Sequence, residues 1–123
     1  MNEDGSIGLL HRYKGGRDQW ELPGGKIEQN ETAKQAATRE LEEELGVVVS
    51  IEREIGSTDF VFDENTFHYT WFLGEVSGQI PSVKEPEAFD TFGYFSFEEL
   101  EHLKLSENMK KLVVAVKNGE VIF

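Results

Sequence analysis

The chain has 123 residues, a formal net charge of -12, 38% hydrophobic residues and no cysteine. This length suits one domain with one hydrophobic core and is too short for two. The lack of cysteine excludes disulfides, thiolate catalysis and cysteine-ligated zinc or iron. The acidic balance disfavours a nucleic-acid polymer or an anionic membrane as partner, because both require a basic surface. A small phosphorylated ligand is compatible with this negative charge if a divalent cation lies between the ligand and the protein.

The chain carries no signal for targeting or membrane insertion. Residues 1–5 lack the basic and apolar regions of a secretion signal, and no apolar run approaches the length of a membrane span. We therefore expect a cytoplasmic protein without a membrane partner. Because there is no repeat, linker or low-complexity tract, we expect residues 1–123 to form a single domain.

The N-terminal part predicts two short strands. Residues 7–12 follow a turn at residues 2–5 and are mainly apolar. Residues 19–22 predict a second strand, which the Pro-Gly-Gly sequence at residues 23–25 ends.

A helix with clear ends is predicted at residues 32–45. Thr32 and Gln35 have the spacing of a capping box, and Gly46 provides the stop.

The rest of the chain predicts strands followed by helices. In chain order these are strands at residues 47–55, 58–62, 67–76 and 91–95, a short helix after Ser96, a helix at residues 107–117 and an edge strand at residues 120–123. Ser96 and Glu99 form a second capping-box pattern, and Ser106 is a cap for the longer helix. Strands on both sides of a central helix indicate a layered α/β or α+β domain.

Three glutamates of the central helix are unusually placed. The apolar arc of this helix comprises Ala33, Ala36, Ala37, Leu41 and Leu45. Glu40 and Glu44 lie within or at the edge of this arc, one turn apart, and Glu43 is their neighbour. Carboxylates on a packing face require a counter-charge, and Arg39 supplies only one. A divalent cation is one solution, and a solvated acidic helix face is the alternative.

The spacing from residue 25 to residue 47 resembles a known family signature. Gly25 is followed after five residues by Glu31, after seven more by Arg39-Glu40-Leu41, and after single residues by Glu43-Glu44 and Gly46-Val47. This pattern resembles the Nudix box without a departure, and residues 20–25 resemble its usual lead-in. The chain is similar to Nudix hydrolases, and most of all to the MutT-like nucleoside triphosphate pyrophosphohydrolases.

The resemblance implies a fold and a metal site. The implied fold is of the α/β (α+β) class, an αβα sandwich around a mixed β-sheet, with the box forming a catalytic loop-helix-loop. The carbonyl of Gly25 and the carboxylates of Glu40, Glu43 and Glu44 would hold one to three Mg²⁺ ions, or Mn²⁺ in their place. Arg39 would orient the glutamates by ion pairing.

The resemblance also implies candidates for the general base. In MutT-like members the glutamate that matches Glu40 has this role, whereas other members use a glutamate from a distant loop. Glu85 and Glu87 lie in such a loop here and are further base or metal-ligand candidates. Glu31 would fix the box loop to the helix.

Four residues are candidates for substrate contacts. Arg12 matches a phosphate-contacting arginine of MutT-like proteins, although a surface salt bridge is the alternative. Asn108 loosely matches an asparagine that contacts the base, but it also suits an ordinary helix surface. Phe62 and Tyr69 lie on strands where a base could stack, although aromatic strand residues more often pack in a core.

The expected reaction is Mg²⁺-dependent hydrolysis of a canonical or modified nucleoside triphosphate to a monophosphate and pyrophosphate. An ADP-ribose or nucleoside-diphosphate-sugar pyrophosphatase is the alternative, but the proline common in ADP-ribose enzymes is absent from residues 57–66. The alternative from another class is a non-catalytic nucleotide sensor, which would be expected to have lost box glutamates that are all present here.

One expectation concerns assembly. Members of the family normally carry a complete strand before the turn that begins here at Asn2. Either the recorded start is late, or the sheet edge is completed by residues 120–123 or by a second subunit. Because an unpaired edge favours association, we expect a homodimer.

Overall fold

The computed structural model describes residues 1–123 and contains five strands, three α-helices and a short 3-10 helix at Lys14–Gly16. In chain order the strands and α-helices are β1 (Ile7–Arg12), β2 (Gln19–Glu21), α1 (Ala33–Leu45), β3 (Ser50–Phe62), β4 (Asn65–Glu75), β5 (Phe89–Phe95), α2 (Phe97–Leu100) and α3 (Glu107–Lys117). None of the helices combines the length and the apolar character needed to cross a membrane. Both N-terminal strands and all three helices lie where the sequence predicts them.

The strands form two sheets. β1 lies between β2 and β5 in a three-stranded sheet, and β3 pairs with β4 in a long hairpin. The predicted α+β class is confirmed. The expected sheet was a mixed one, and the observed sheets differ from it in the direction of their strands. Every strand pair is antiparallel, and parallel pairing is confined to a single bridge between Trp20 and Leu105.

Strand β3 is longer than the sequence predicts. The separate strands expected at residues 47–55 and 58–62 are one strand, Ser50–Phe62. The register of the β3/β4 ladder shifts between Glu54 and Gly56, so an irregularity bends the strand without ending it. Gly56 therefore marks this irregularity and not a turn.

The predicted edge strand at residues 120–123 is wrong. The backbone N–H groups of Glu120 and Val121 donate to the carbonyl of Ala115 in α3, so these residues complete the end of a helix. The Val121 side chain is buried in the core. The outer edges of β4 and β5 consequently have no strand partner within the chain.

The three-stranded sheet has a helix on each face. Leu9 packs in a cluster with Met109 and Leu112 of α3, whereas Leu10 packs in a cluster with Leu45 of α1. Successive strand residues point to opposite faces of a sheet, so the two helices cover opposite faces. Both leucines of β1 are fully buried, and each contributes roughly 1.5–3 kcal/mol. The predicted αβα layering is therefore present around β1.

The ends of α1 fix the direction in which its glutamates point. The Thr32 hydroxyl accepts from the backbone N–H of Gln35 at 3.1 Å, and the Gln35 side chain accepts from the N–H of Thr32 at 2.8 Å. At the other end Gly46 adopts a left-handed conformation with φ of 67°. An N-cap of this kind stabilises a helix by about 1 kcal/mol. The predicted capping box and stop are both confirmed.

Candidate active site

Helix α1 contacts the turn that follows β2 through two of its glutamates. The Glu44 side chain is buried, with 4% of the residue exposed, and accepts a hydrogen bond of 2.8 Å from the N–H of Gly24. Glu40 lies directly against Gly25, where an added Cβ would come within 2.6 Å of its carboxylate. The first glycine of the box is therefore needed because the loop backbone and the helix carboxylates approach so closely.

Tyr69 of β4 supports the same turn from the other side. Its hydroxyl donates to the carbonyl of Pro23 at 3.1 Å, and a Cβ on Gly24 would collide with that hydroxyl. Burial raises the pKa of Tyr69, and the charges of Glu44 and Glu40 add to this effect. The structure thus places Tyr69 beneath the turn, as a support for the loop that carries Gly25.

Arg39 connects the box loop to the glutamates of α1. Its guanidinium forms two hydrogen bonds with Glu31, at 2.7 and 3.1 Å, and further ones with Glu40 at 2.8 Å and Glu43 at 3.1 Å. Nη2 also donates to the carbonyl of Lys26 at 3.0 Å. These bonds raise the pKa of Arg39, so the group is permanently charged. Arg39 thus holds the side chains of Glu31, Glu40 and Glu43 together. The orienting role of Arg39 and the loop-fixing role of Glu31 stay predictions.

Glu44 carries the most strongly perturbed carboxyl in the site. Burial raises the pKa of Glu44 to about 8, and the charges of Glu40, Glu85 and Glu21 act in the same direction. The hydrogen bond from Gly24 opposes this effect without cancelling it. The centre of the site therefore holds more negative charge than the protein neutralises.

The loop before β5 brings Glu85 to this centre. The N–H of Ser82 donates to the carbonyl of Leu45, and the N–H of Lys84 donates to the carbonyl of Glu44. These bonds attach the loop to the last turn of α1, so the next residue, Glu85, reaches the acidic face. Burial raises the pKa of Glu85, followed in effect by the charges of Glu40, Glu87 and Glu43. The predicted distant-loop glutamate thus shares the electrostatic field of the box glutamates.

Glu87 is the more peripheral of the two loop glutamates. Glu87 is exposed to solvent, whereas Glu85 is half-buried. The charge of Glu87 acts on Glu85, so the two carboxylates are neighbours. We rank Glu85 before Glu87 as the loop residue with access to the site.

Arg12 lies at the rim of the acidic centre and is paired with a residue that was not predicted. Its Nε and Nη2 donate to both oxygens of Glu21, at 2.7 and 3.1 Å, and its guanidinium lies 4.7 Å from the centre of the Phe89 ring. These bonds raise the pKa of Arg12, to which the charges of Glu44 and Glu85 also contribute. No sequence signal indicates Glu21, because its place beside Arg12 depends on the register that pairs Glu21 with Leu10.

The structure engages Asn108 and Phe62 in other contacts. The Oδ1 atom of Asn108 accepts a hydrogen bond of 2.9 Å from the indole N–H of Trp71, and both side chains are buried. The Phe62 ring lies 4.6 Å beneath the guanidinium of Arg17 at the end of β3. Neither contact links these residues to the glutamates, so their substrate roles stay predictions.

The donor set suits a hard divalent cation, although the side chains are not gathered around one point. Glu40 and Glu43 bind Arg39, while Glu44 binds Gly24, and no three acidic or histidine side chains are arranged to hold a metal ion. The close approach of Gly25 to Glu40 and the excess negative charge around Glu44 nevertheless fit a cation with oxygen ligands. Each of these three carboxylates keeps its second oxygen outside these bonds, where it is available to a cation.

The layered fold and the acidic helix-and-loop site define a Nudix-type domain. The chain matches the NUDIX domain over residues 1–116, and it belongs to the Nudix family. The predicted membership of this family of hydrolases is confirmed.

Individual relatives are similar to parts of the chain. It is 32% identical over 84 residues to the CTP pyrophosphohydrolase of Escherichia coli strain K12, an alignment that covers 65% of this chain and 62% of that protein. It is 49% identical over 49 residues to an 8-oxo-dGTP diphosphatase of Haemophilus influenzae, covering 38% of this chain and 36% of the relative. The chain thus spans less than two thirds of the length of these relatives.

Solved structures agree over more of the chain. A MutT protein from Methanosarcina mazei Go1 matches 96% of this chain and 87% of its own, with a TM-score of 0.82 and 23% identity. A MutT NUDIX hydrolase from Burkholderia pseudomallei matches 80% and 78%, with a TM-score of 0.69 and 29% identity. These similarities confirm the predicted fold.

Proposed function

We propose that the chain hydrolyses the pyrophosphate linkage of a nucleoside triphosphate, releasing a nucleoside monophosphate and pyrophosphate in a reaction that depends on Mg²⁺ or Mn²⁺. The observation that carries this proposal is the burial of Glu44 against Gly24 and the close approach of Glu40 to Gly25, with Arg39 hydrogen-bonded to the Glu40 carboxylate. The names of the relatives, a CTP pyrophosphohydrolase and an 8-oxo-dGTP diphosphatase, support the substrate class.

The cation ligands come from the loops and from α1. The candidate ligands are the Gly25 carbonyl and the carboxylates of Glu40, Glu43, Glu44, Glu85 and Glu87. A bound divalent cation would stabilise the charge that develops on the phosphoryl oxygens. Arg39 keeps Glu40 and Glu43 beside this position, and its bonds to Glu31 hold the loop that carries Gly25.

Glu85 is the stronger candidate for the general base. Glu40 is hydrogen-bonded to Arg39 through one of its carboxylate oxygens, whereas no cation of the protein is bound to Glu85. Its pKa is raised by burial and by the box glutamates, which makes its carboxylate more basic. Glu85 would take the proton from the water that attacks phosphorus.

Arg12 would contact a phosphate of the substrate. Its Nε and Nη2 atoms bind Glu21, and Nη1 makes no hydrogen bond. The guanidinium also lies within the field of Glu44 and Glu85, so it borders the reaction centre. A triphosphate held at the acidic centre would therefore find one donor nitrogen of Arg12 available.

The test is a product-release screen with Mg²⁺ over canonical and oxidised nucleoside triphosphates, ADP-ribose and dinucleoside polyphosphates. Glu44→Gln is the test variant, and Glu42→Gln is the matched control because Glu42 is an exposed glutamate on the same helix. We expect hydrolysis of triphosphates that Glu44→Gln abolishes and Glu42→Gln preserves. Activity confined to ADP-ribose would refute the nucleoside triphosphate as substrate and favour the alternative, an ADP-ribose pyrophosphatase. Nucleotide binding without any hydrolysis would indicate a sensor.

We also propose that the chain forms a homodimer. The outer edges of β4 and β5 lack a strand partner within the chain, and such edges favour pairing with another copy. Sedimentation velocity tests this directly. A monomer across the micromolar range would refute it.

A further inference from the structure

Both ring nitrogens of His11 bind carboxylates. Nδ1 lies 2.7 Å from Asp90 Oδ1 and Nε2 lies 2.6 Å from Asp18 Oδ1. The side chain is mostly covered, with 17% exposed, and its ring packs 5.0 Å from that of Trp20. His11 therefore connects three segments: β1, the loop before β2, and β5.

This geometry requires a charged ring. A neutral imidazole has one N–H and can donate to one carboxylate only, whereas an imidazolium can donate to two. Burial alone would lower the pKa of His11, but the hydrogen bonds and charges of Asp18 and Asp90 outweigh it and raise the pKa. These two aspartates are the charged groups that act on the ring, and the third neighbour, Trp20, is uncharged.

Asp90 is the extra residue of a β-bulge next to the candidate active site. In the β1/β5 ladder His11 pairs with Thr91 and Arg12 pairs with Phe89, so Asp90 has no partner in the register. A bulge redirects the side chains beside it, and bulges are common next to active sites. Here the bulge places the buried Phe89 ring 4.7 Å beneath the Arg12 guanidinium.

Arg12 is thus held on two sides. Glu21 binds its Nε and Nη2 atoms, and the Phe89 ring supports the face of the guanidinium. The contact with Glu21 is made to β2. The contact with Phe89 is made to β5 and depends on the bulge at Asp90. The hydrogen bond from His11 to Asp90 is the side-chain contact that fixes this bulge.

We propose that His11, as an imidazolium, is a positioning residue that holds the Asp90 bulge and thereby aims Arg12 at a phosphate of the substrate. This inference rests on the proposed phosphate contact of Arg12. A neutral ring has one N–H to share between Asp18 and Asp90, so its contact with Asp90 is made only part of the time and Arg12 is held less firmly. KM therefore rises as His11 loses its proton, while kcat changes little because Arg12 is not the general base.

The first experiment measures the protonation of the His11 ring nitrogens by ¹⁵N NMR across a pH titration. We expect both nitrogens of His11 to stay protonated to a higher pH than those of a free histidine side chain, because the ring has two carboxylate partners. Loss of the second ring proton at or below the pH at which a free histidine side chain loses it would overturn the proposal. This result does not depend on any enzymatic activity.

The second experiment measures KM and kcat against pH for the unaltered protein, His11→Gln and Asp90→Asn. We expect His11→Gln to raise KM about tenfold at neutral pH, as for one lost charge-assisted hydrogen bond, and to remove the rise of KM with pH. Asp90→Asn should move that rise to lower pH, which a merely structural contact would not do. His68→Gln is the matched control and should leave the profile unchanged.

The two proposals fail differently. A KM profile of His11→Gln that matches the unaltered protein would overturn the role of His11 and leave the hydrolase intact. If no nucleotide is hydrolysed, the proposed function fails, and calorimetry with inorganic pyrophosphate then decides the role of His11. Equal affinity of His11→Gln and the unaltered protein for pyrophosphate would overturn that role.

Discussion

Glu44 accepts its hydrogen bond from the backbone of Gly24 at 2.8 Å while its carboxyl is almost completely buried. This contact joins the helix of the Nudix box to the loop that precedes it, at the point where the negative charge is least compensated. One peptide N–H is a weak counter-charge, and it does not offset the burial that raises the pKa of Glu44 to about 8. Glu44 is therefore the carboxyl of the site that most lacks a counter-charge.

The stability of the metal-free protein should fall as the pH rises from about 4.5 to about 8. Over this range the Glu44 carboxyl ionises in the unfolded chain, where its pKa has the ordinary value of 4.5, before it ionises in the folded protein. The penalty saturates above about pH 8 and is absent below about pH 4. Thermal melts in EDTA should show this decline in the unaltered protein and a smaller one in Glu44→Gln. An equal decline of the melting temperature with pH in both proteins would contradict the assignment of this effect to Glu44.

Mg²⁺ should raise the melting temperature, and it should do so more at pH 8 than at pH 5. Ligation requires ionised carboxylates, so protonation of Glu44 and Glu85 at low pH opposes it. A cation at a hundred times its dissociation constant stabilises a protein by about 2.7 kcal/mol. Glu42→Gln should keep this shift and Glu44→Gln should reduce it. A shift independent of pH would point to binding elsewhere on the acidic surface.

Local signals in the sequence predicted the helix of the site well, and long-range ones predicted its partners poorly. The capping box at Thr32 and the stop at Gly46 are contained within a few residues, so the direction of Glu40 and Glu44 follows from the sequence. The attachment of the Glu85 loop depends on backbone hydrogen bonds to the end of α1 that leave no side-chain pattern.

The partners across the sheet illustrate the same limit. The pairing of Arg12 with Glu21 depends on the register of β1 and β2, and the bulge at Asp90 depends on a single unpaired residue. A shift of the pairing register by one residue would turn every side chain of a strand to the opposite face of the sheet. The aromatic residues of β3 and β4 could be assigned to strands, but their use in supporting the turn, as for Tyr69, required the tertiary contact.

Gly25→Ala should remove most of the activity while the fold persists. The added Cβ would come within 2.6 Å of the Glu40 carboxylate, which would have to move from its place beside Arg39. Displacing such a group by about 1 Å costs on the order of a hundredfold in rate. Steady-state kinetics with circular dichroism would separate loss of function from loss of structure, and a fully active Gly25→Ala would refute the close contact.

Gly78→Ala is the control for this exchange, because a Cβ there meets nothing within 4 Å. Its backbone has φ of +74°, so alanine should cost roughly 1–2 kcal/mol of stability through local strain. Activity below the melting temperature should nevertheless be kept, since the added Cβ would touch none of the glutamates. The pair thus separates a glycine needed for the site from a glycine needed only for its turn.

Arg39→Lys should lower activity although it preserves the charge. A lysine ammonium cannot reproduce the two parallel bonds to Glu31 together with those to Glu40 and Glu43. We expect kcat/KM to fall by roughly tenfold to a hundredfold, since one or two charge-assisted hydrogen bonds are lost. Lys34→Arg, on an exposed position of the same helix, controls for the exchange of basic residues. Unchanged kinetics in Arg39→Lys would show that charge alone suffices.

Glu85→Gln should reduce kcat by roughly 10² to 10⁴, the usual contribution of a general base. Because the pKa of Glu85 is raised by burial and by Glu40, the unaltered protein should lose activity at acidic pH as this carboxyl becomes protonated. Glu85→Gln should lack that acidic limb, whereas Glu87→Gln should keep it, since its exposed side chain acts on the site only through Glu85. The measurement is kcat against pH for the three proteins at saturating Mg²⁺. If Glu85→Gln retains the acidic limb and most of kcat, the base must be sought in the box, with Glu40 the next residue to substitute.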